Sequence, residues 1–452
     1  MSNIFKSVGP AIIVAAVVLG PGSILTSSKV GASFGLIGLP VVVGASILMI
    51  AMVMLSARLG VVYEGSLCDE LSSRLGRSAA VVIGVILFTL VAFFQSSNNI
   101  ALIGGLEPLL GETEMSVAVR ASCLVLVNLL VIGSLYFLRE LYRTIESVMK
   151  LLMGLMAVAF VVNLIVAFLK PRAFEPSSSG EALDWLPLLG MIGTTFSVGG
   201  AFYQAYLVKE KGWKLGDLKR TQSDSIVSIS VLGLITSVIL LTAWRIFHGN
   251  PEAGSLASVG DVARQLEPVF GSWAKVVFCV GILAGALSSF LVNALVGGTV
   301  MSDALGKGAR LGDRWPVHMT ALALLVGLAV AVASLAREGS TVHLITLAQA
   351  LTVLGIPALA ATLIYLGTRP ELQNERQVPR WILGLAWVGL IMACVLACLT
   401  ARKVYQKLEA KHETRKRPGS GFACLGREGV FLKCHVDVAS QSRIWVVRED
   451  SV

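Results

Sequence analysis

Two tetrapeptides hold the residues of this chain most able to do chemistry. Gly20-Pro21-Gly22-Ser23 interrupts a uniformly apolar run from Ala11 to Leu19, and Ser197-Val198-Gly199-Gly200 interrupts another from Leu186 to Phe196. Proline removes a backbone donor and glycine tolerates non-helical angles, so each tetrapeptide should unwind a helix in mid-course. The half that resumes after such a break starts with free N–H groups and about half a positive charge, a ready site for an anion. Ser23, Thr194, Thr195 and Ser197 add hydroxyls beside the breaks, and Tyr203 and Gln204 follow one turn further on. Lys29, about two turns beyond Ser23, extends the positive field or snorkels to an interface. The small residues at both breaks favour a small polar solute.

The groups that are missing narrow the chemistry further. No Asp or Glu occurs before Glu64, and none lies in residues 71–106, 185–209, 268–302 or 339–370. The histidines are His248, His318, His343, His412 and His435, all at span ends, in loops or in the C-terminal tail. A transition metal asks for carboxylate, imidazole or sulfur donors and a hard divalent ion for several oxygens, some of them negative, and the breaks offer neither set. A proton relay through the core would need the same absent groups. Seven scattered cysteines without ligand spacing read as packing residues. The chain has no Walker A loop, nucleophile elbow or metal-hydrolase His/Glu pattern, so an enzyme is not expected, and no basic module with interleaved aromatics suggests nucleic acid. No cofactor is called for.

The elements that must position these breaks are membrane helices. Of 452 residues 55% are hydrophobic and 14% charged, well below the charge of a soluble domain. Apolar stretches long enough to cross a bilayer fall near 10–36, 38–60, 79–104, 118–138, 147–169, 185–208, 224–247, 270–302, 316–336, 342–367 and 380–401. The fold class is therefore all-α, a polytopic membrane protein of about eleven spans. Backbone groups in lipid must be satisfied within the segment, and no ten-residue alternation suggests a barrel. The loops alternate in charge: Arg58, Arg74, Arg77, Arg139, Arg143, Lys150, Lys209, Lys211, Lys214, Lys307, Arg310 and Arg314 fall on one side, which puts the N-terminus in the cytoplasm. The same count leaves the basic tail outside, against the rule; its Arg415-Lys416-Arg417 cluster and Pro418-Gly419-Ser420-Gly421 read as a flexible segment. Two broken helices five spans apart point to an inverted repeat with a site where the helices part, although glycines also serve close helix packing. The domain reading is a transporter unit over 1–401, with repeats near 8–170 and 185–368 and an extra helix near 380–401, followed by a tail over 402–452.

The residues reached so far resemble the NRAMP family. The family's first helix, close to GP…DPGN..TD.QAGA.FG, is similar to Gly9-Pro10 followed by GPGSILTSSKVGASFG at 20–35; its eighth is similar to AGALSSFLVNALVGGTVM at 284–301 and its tenth to LAQALTVLGIP at 347–357. The resemblance spans about residues 8–400 and implies two inverted five-helix repeats of the LeuT-like, APC-type fold, with helices one and six unwound at the midplane. The departures fall on the metal chemistry. Gly20 stands where the family has its metal-binding Asp and Ser23 where it has Asn; its Met-Pro-His falls on Ser197, Val198 and Gly199, a later His on Gln204, a third-helix Glu on about Gln95, and the second Gln of the tenth helix on Gly355.

The resemblance and the missing donors together give an expectation. A divergent prokaryotic branch of the family suggests a secondary active transporter, in the prokaryotic inner membrane, that moves a small inorganic anion by alternating access. Bicarbonate is the first choice, and Gly20, Pro21, Gly22, Ser23, Lys29, Gln95, Thr194, Thr195, Ser197, Val198, Gly199 and Gly200 are the substrate-binding candidates. By analogy with sodium symporters of related fold, Na⁺ would be the coupling ion, held by carbonyls of Val17, Gly20 and Gly285 and the hydroxyls of Ser288 and Ser289. The partners are thus bicarbonate, sodium and the lipid bilayer. The rival readings are a divalent metal cation transporter for Mg²⁺ or Mn²⁺ and a transport-inactive, receptor-like homologue.

Overall fold

Because lipid cannot satisfy N–H and C=O groups, a chain this apolar closes its backbone bonds inside helices, and the described residues are helices and their connections. The structure, a computed structural model, describes residues 9–110, 115–138, 140–169, 185–250, 256, 260–263, 272–335 and 340–416. The tail beyond 416 lies outside them, as does Arg139. The helices are α1 (Ala11–Val18), α2 (Pro21–Phe34), α3 (Gly38–Val62), α4 (Leu67–Leu75), α5 (Arg77–Leu110), α6 (Val117–Phe137) and α7 (Leu141–Leu169), then α8 (Leu186–Thr195), α9 (Val198–Glu210), α10 (Leu218–Phe247), α11 (Ser272–Ala304), α12 (Arg314–Leu335), α13 (Ser340–Gly367) and α14 (Arg380–Lys416).

The pairs α1/α2 and α8/α9 are the two expected broken spans, and with the other long helices they give the eleven-span order read from hydropathy. α4 is the exception: a nine-residue amphipathic helix too short to span, inserted between α3 and α5. Its local signals are strong. Ser66 caps it by accepting from the Asp69 N–H, Asp69 and Glu70 sit in its first turn, and Gly76 ends it at φ +85°.

α5 and α11 lie along one another and form the spine, with α7, α12 and α13 against them. α3 packs on both α9 and α10, and α10 also holds α2. Close approach is built on small residues: Gly60 of α3 faces the Ala205 carbonyl, and Ser56 donates to Phe202 O (3.1 Å) while accepting from Ala205 N (3.2 Å). α3 and α9 are thereby joined through side chain and backbone. The outward faces of α6, α7 and α14 remain apolar and exposed, and exposed tryptophans mark helix starts at Trp185, Trp273, Trp315 and Trp381. That is the arrangement expected of a lipid-facing belt with interfacial aromatics. The protein is an integral membrane protein.

Candidate functional site

Both breaks form where the sequence dictates. α1 is eight apolar, wholly buried residues and ends at Val18. Val17 O would ordinarily accept from residue 21, but Pro21 has no N–H, so the helix stops and restarts with Pro21 in its first turn. Gly20 bridges the halves in extended conformation (φ −82°, ψ 178°). Its lack of a side chain matters sterically: a Cβ there would lie 2.5 Å from Ser289 Oγ of α11. Gly285, one turn earlier on α11, makes the complementary allowance, since a Cβ at that position would be 2.8 Å from Leu19 O. Thus the α1/α2 break is pressed against α11 through two glycines, with Leu19 O and the Ser289 hydroxyl at the contact.

Several polar groups there are already engaged. Ser23 Oγ donates to Val18 O (2.5 Å), closing the gap from the α2 side. Gly20 O accepts from Ser23 N (3.0 Å) and Ile24 N (3.2 Å). Ser288 Oγ reaches Ala16 O (3.1 Å) and Gly285 O (3.0 Å), and Ser289 Oγ accepts from Asn293 Nδ2 (2.9 Å). Among the described bonds, Val17 O and Leu19 O receive no donor from outside their own helix.

The second break runs from Phe196 to Ser197 and is narrower. Ser197 O accepts from Ala201 N (3.1 Å), and Gly200 packs on Val14 and Val17 of α1, bringing the two breaks side by side. Val198 is fully buried, and Gly199 faces Leu87 of α5. Thr194 Oγ1 donates to Met191 O (3.2 Å) and meets Thr26 Oγ1 of α2 at 3.3 Å. Thr195 Oγ1 is buried with no partner, and so are both amide atoms of Gln204, a side chain with no solvent exposure. Buried polar atoms are normally paired, and an amide with neither atom satisfied marks a place where a water or a ligand belongs.

Other candidates fall elsewhere. Gln95 is not open to a solute: its Nε2 donates to Phe290 O (2.6 Å) and its Oε1 accepts from Asn98 (2.8 Å). It heads a buried amide network in which Asn99 bonds Gln95 O (2.9 Å) and Asn128 of α6 bonds Asn99 Oδ1 (2.7 Å). Lys29 is half-buried on α2, beyond the Thr26–Thr194 contact. Gly355 packs against Ile86 and Leu90 of α5. Pro21 and Gly22 are buried in the first turn of α2.

The groups that hydropathy could not assign to a role are the carboxylates at the end where α9 finishes. Asp303 of α11, 2% exposed, accepts from Ser66 Oγ (2.6 Å), Tyr206 Oη (2.6 Å) and Cys68 N (3.3 Å). Asp224 of α10 accepts from Gly9 N (2.6 Å), Ala11 N (2.9 Å) and Ser228 Oγ (3.1 Å), so it caps α1 from another helix. Glu146 of α7 binds Lys150 (2.8 Å) and Lys211 (2.7 Å), and Lys209 donates to Tyr63 O (2.6 Å). Their only sequence signal is an acidic residue at a span end.

Comparison with known proteins gives one consistent outcome. The family description "Natural resistance-associated macrophage protein-like" matches residues 11–402. The divalent metal cation transporter MntH of Klebsiella pneumoniae is 25% identical over 400 residues, covering 86% of this chain and 91% of its own; that of Mycobacterium tuberculosis is 25% identical, with 88% and 90% covered. Among solved structures, the Eremococcus coleocola manganese transporter superposes with a TM-score of 0.74 at 18% identity, covering 88% of this chain and 86% of that one. Mhp1, a nucleobase-cation-symport-1 transporter, follows at 0.53 with 13% identity, 88% of this chain and 93% of its own covered. The LeuT-like fold read from the sequence is the observed one.

The same relatives overturn the expected sodium-driven bicarbonate carrier, since those matching nearly end to end are named for divalent metal cations. The physical error lies in reading only half of each break. A break that frees N–H groups at the start of α2 and α9 also frees carbonyls at the ends of α1 and α8, and such C-terminal ends attract cations. Sodium falls with bicarbonate as a partner. In the cage expected for it, Gly20 O accepts from Ser23 N and Ile24 N, and the Ser288 hydroxyl lies within reach of both Ala16 O (3.1 Å) and Gly285 O (3.0 Å).

Proposed function

The chain belongs to the natural resistance-associated macrophage protein family, a family of transporters, and from that premise we propose that it carries a divalent cation across the membrane by alternating access, the ion keeping much of its water shell. The observation that carries the reading is the pairing of the Val17 and Leu19 carbonyls at the end of α1, which accept none of the described hydrogen bonds, with the Ser289 hydroxyl in a centre without charge. Among the described residues no cluster of three or more His, Cys, Asp or Glu side chains offers a dehydrating site. Neutral oxygens replace only part of the hydration of a doubly charged ion, and an ion such as Mg²⁺ gives up water reluctantly. The waters it retains find partners in the orphaned Gln204 amide and the Thr195 hydroxyl.

The relatives' names support the divalent charge of the cargo, and the donor set supports the hydration. Without carboxylate or sulfur, selection among divalent ions rests on size and charge, so Mg²⁺ and Mn²⁺ are carried alike and with weak, millimolar-range affinity. The cytoplasmic membrane of a prokaryote is the proposed site. The end bearing Arg58, Arg74, Arg77, Lys209 and Lys211 faces the cytoplasm, in keeping with the excess of basic residues in its loops.

Reconstituted protein tests the reading directly. Proteoliposomes loaded with a divalent-sensitive dye should show saturable Mg²⁺ and Mn²⁺ entry that each ion inhibits in the other, and Ser289→Ala should weaken it several-fold. Flux of neither ion above empty liposomes would overturn the proposal.

A further inference from the structure

The two half-helices that meet at the breaks are each held at their far end by one buried carboxylate. α9, hinged at Ser197, carries Tyr206, whose hydroxyl donates to Asp303 (2.6 Å). Asp303 belongs to α11, which lies along α5 as the spine of the bundle. α9 is bound mainly to α3, through Ser56 and the Gly60–Ala205 contact, and touches α11 through Tyr203, whose hydroxyl lies 3.5 Å from Thr299 Oγ1. The Tyr206–Asp303 bond therefore crosses between two packed bodies, and the Ser66 hydroxyl (2.6 Å) draws the cap of α4 to the same carboxylate. Hydrogen bonds to a charged, buried acceptor are roughly twice as strong as neutral ones, and here they are directional and few.

We propose that Asp303, with Tyr206 and Ser66, is a latch that keeps this end of the transporter closed, and that its release lets α9 and α3 separate from the α5/α11 spine to open a path from the breaks. Asp224 acts in parallel on α1, holding Gly9 N and Ala11 N. Asp303 is a positioning residue, since it meets other helices and lies well away from the breaks. The inference is independent of which ion is carried.

The latch contains its own reporter. Cys68 is fully buried beside Asp303, its Sγ 3.4 Å from Tyr206 Oη, and burial pushes its thiol pKa up, so it alkylates only when the latch opens. Cys279 is also fully buried, on α11 about 24 residues from Asp303, or some 36 Å along the helix, and reports global unfolding instead. Losing the Tyr206 donor by itself makes the Cys68 thiolate harder to form, so faster labelling in a Tyr206 variant measures access.

The experiment is maleimide labelling of the full chain in lipid, with each cysteine followed by peptide mass spectrometry. Tyr206→Phe should speed Cys68 labelling at least tenfold while Cys279 stays unreactive; Asp303→Asn should do the same, but losing the Asp303 charge also eases Cys68 ionisation, so Tyr206→Phe is the deciding variant. Tyr63→Phe, which removes a bond to Leu366 O outside the latch, should change neither. If Asp303→Asn does not fold, Tyr206→Phe decides alone. A Cys68 rate within twofold of the parent chain, or Cys68 and Cys279 rising together, would overturn the latch.

Discussion

The centre of the bundle and the end where α9 finishes solve opposite problems with opposite residues. At the centre, two breaks meet with glycine, serine, threonine and bare carbonyls, and no described side chain there carries a charge. At the end, Asp224, Asp303, Glu146, Lys209 and Lys211 converge, and each carboxylate has two or more donors. At the centre the Thr195 hydroxyl and the Gln204 amide are left without partners, whereas each of these carboxylates at the end is held by several donors. The difference separates tasks: a site that must bind and release keeps spare capacity, and a closure that must hold uses all of it.

The contrast can be broken most severely at its tightest contact. Gly20→Ala places a methyl 2.5 Å from Ser289 Oγ, and Gly285→Ala places one 2.8 Å from Leu19 O. Either should abolish measurable flux while leaving the protein monodisperse and helical by circular dichroism. At the saturated end, Asp224→Ala strands the Gly9 and Ala11 N–H groups in a buried site, at about 1–3 kcal/mol for each unsatisfied group. The result should be a large fall in melting temperature measured in detergent.

At the centre the sign reverses. Gln204→Leu removes an amide that has no partner and should stabilise the empty protein by about 1 kcal/mol or more, yet lower flux roughly tenfold, as read by paired melting and proteoliposome assays. A loss of both stability and flux would make Gln204 an ordinary core residue. The smallest effect is expected from Lys150→Ala, because Lys150 is 41% exposed and Glu146 keeps Lys211; its melting change should correspond to less than about 1 kcal/mol.

These regions also differ in how far they could be read from the sequence. The places of both breaks were legible: α1 ends at Val18, before Gly20 and Pro21, and α8 ends at Thr195, although there the non-helical residues are Phe196 and Ser197 and the glycines Gly199 and Gly200 lie within the first turn of α9. The ligand sign was not. Hydropathy and local propensity say where a helix parts, but which of its two ends meets the cargo depends on groups such as Leu19 O and Ser289, hundreds of residues apart in sequence. The latch was hidden for the same reason, since Tyr206 and Asp303 are 97 positions apart and each resembles a span-end residue alone. Gln95, the position that resembles the family's third-helix Glu, is bonded on both amide atoms, and only packing against Phe290 reveals that. The short helix α4 has a local signal in Ser66, Asp69 and Glu70, a capping pattern set between two long apolar runs.

Anomalous diffraction from Mn²⁺-soaked crystals tests the central claim most directly. A manganese peak beside Val17 O, Leu19 O and Ser289 Oγ, with ordered waters completing its shell and one reaching Gln204, is the predicted result. A bridge where the breaks meet that holds no manganese at saturating concentration would contradict it.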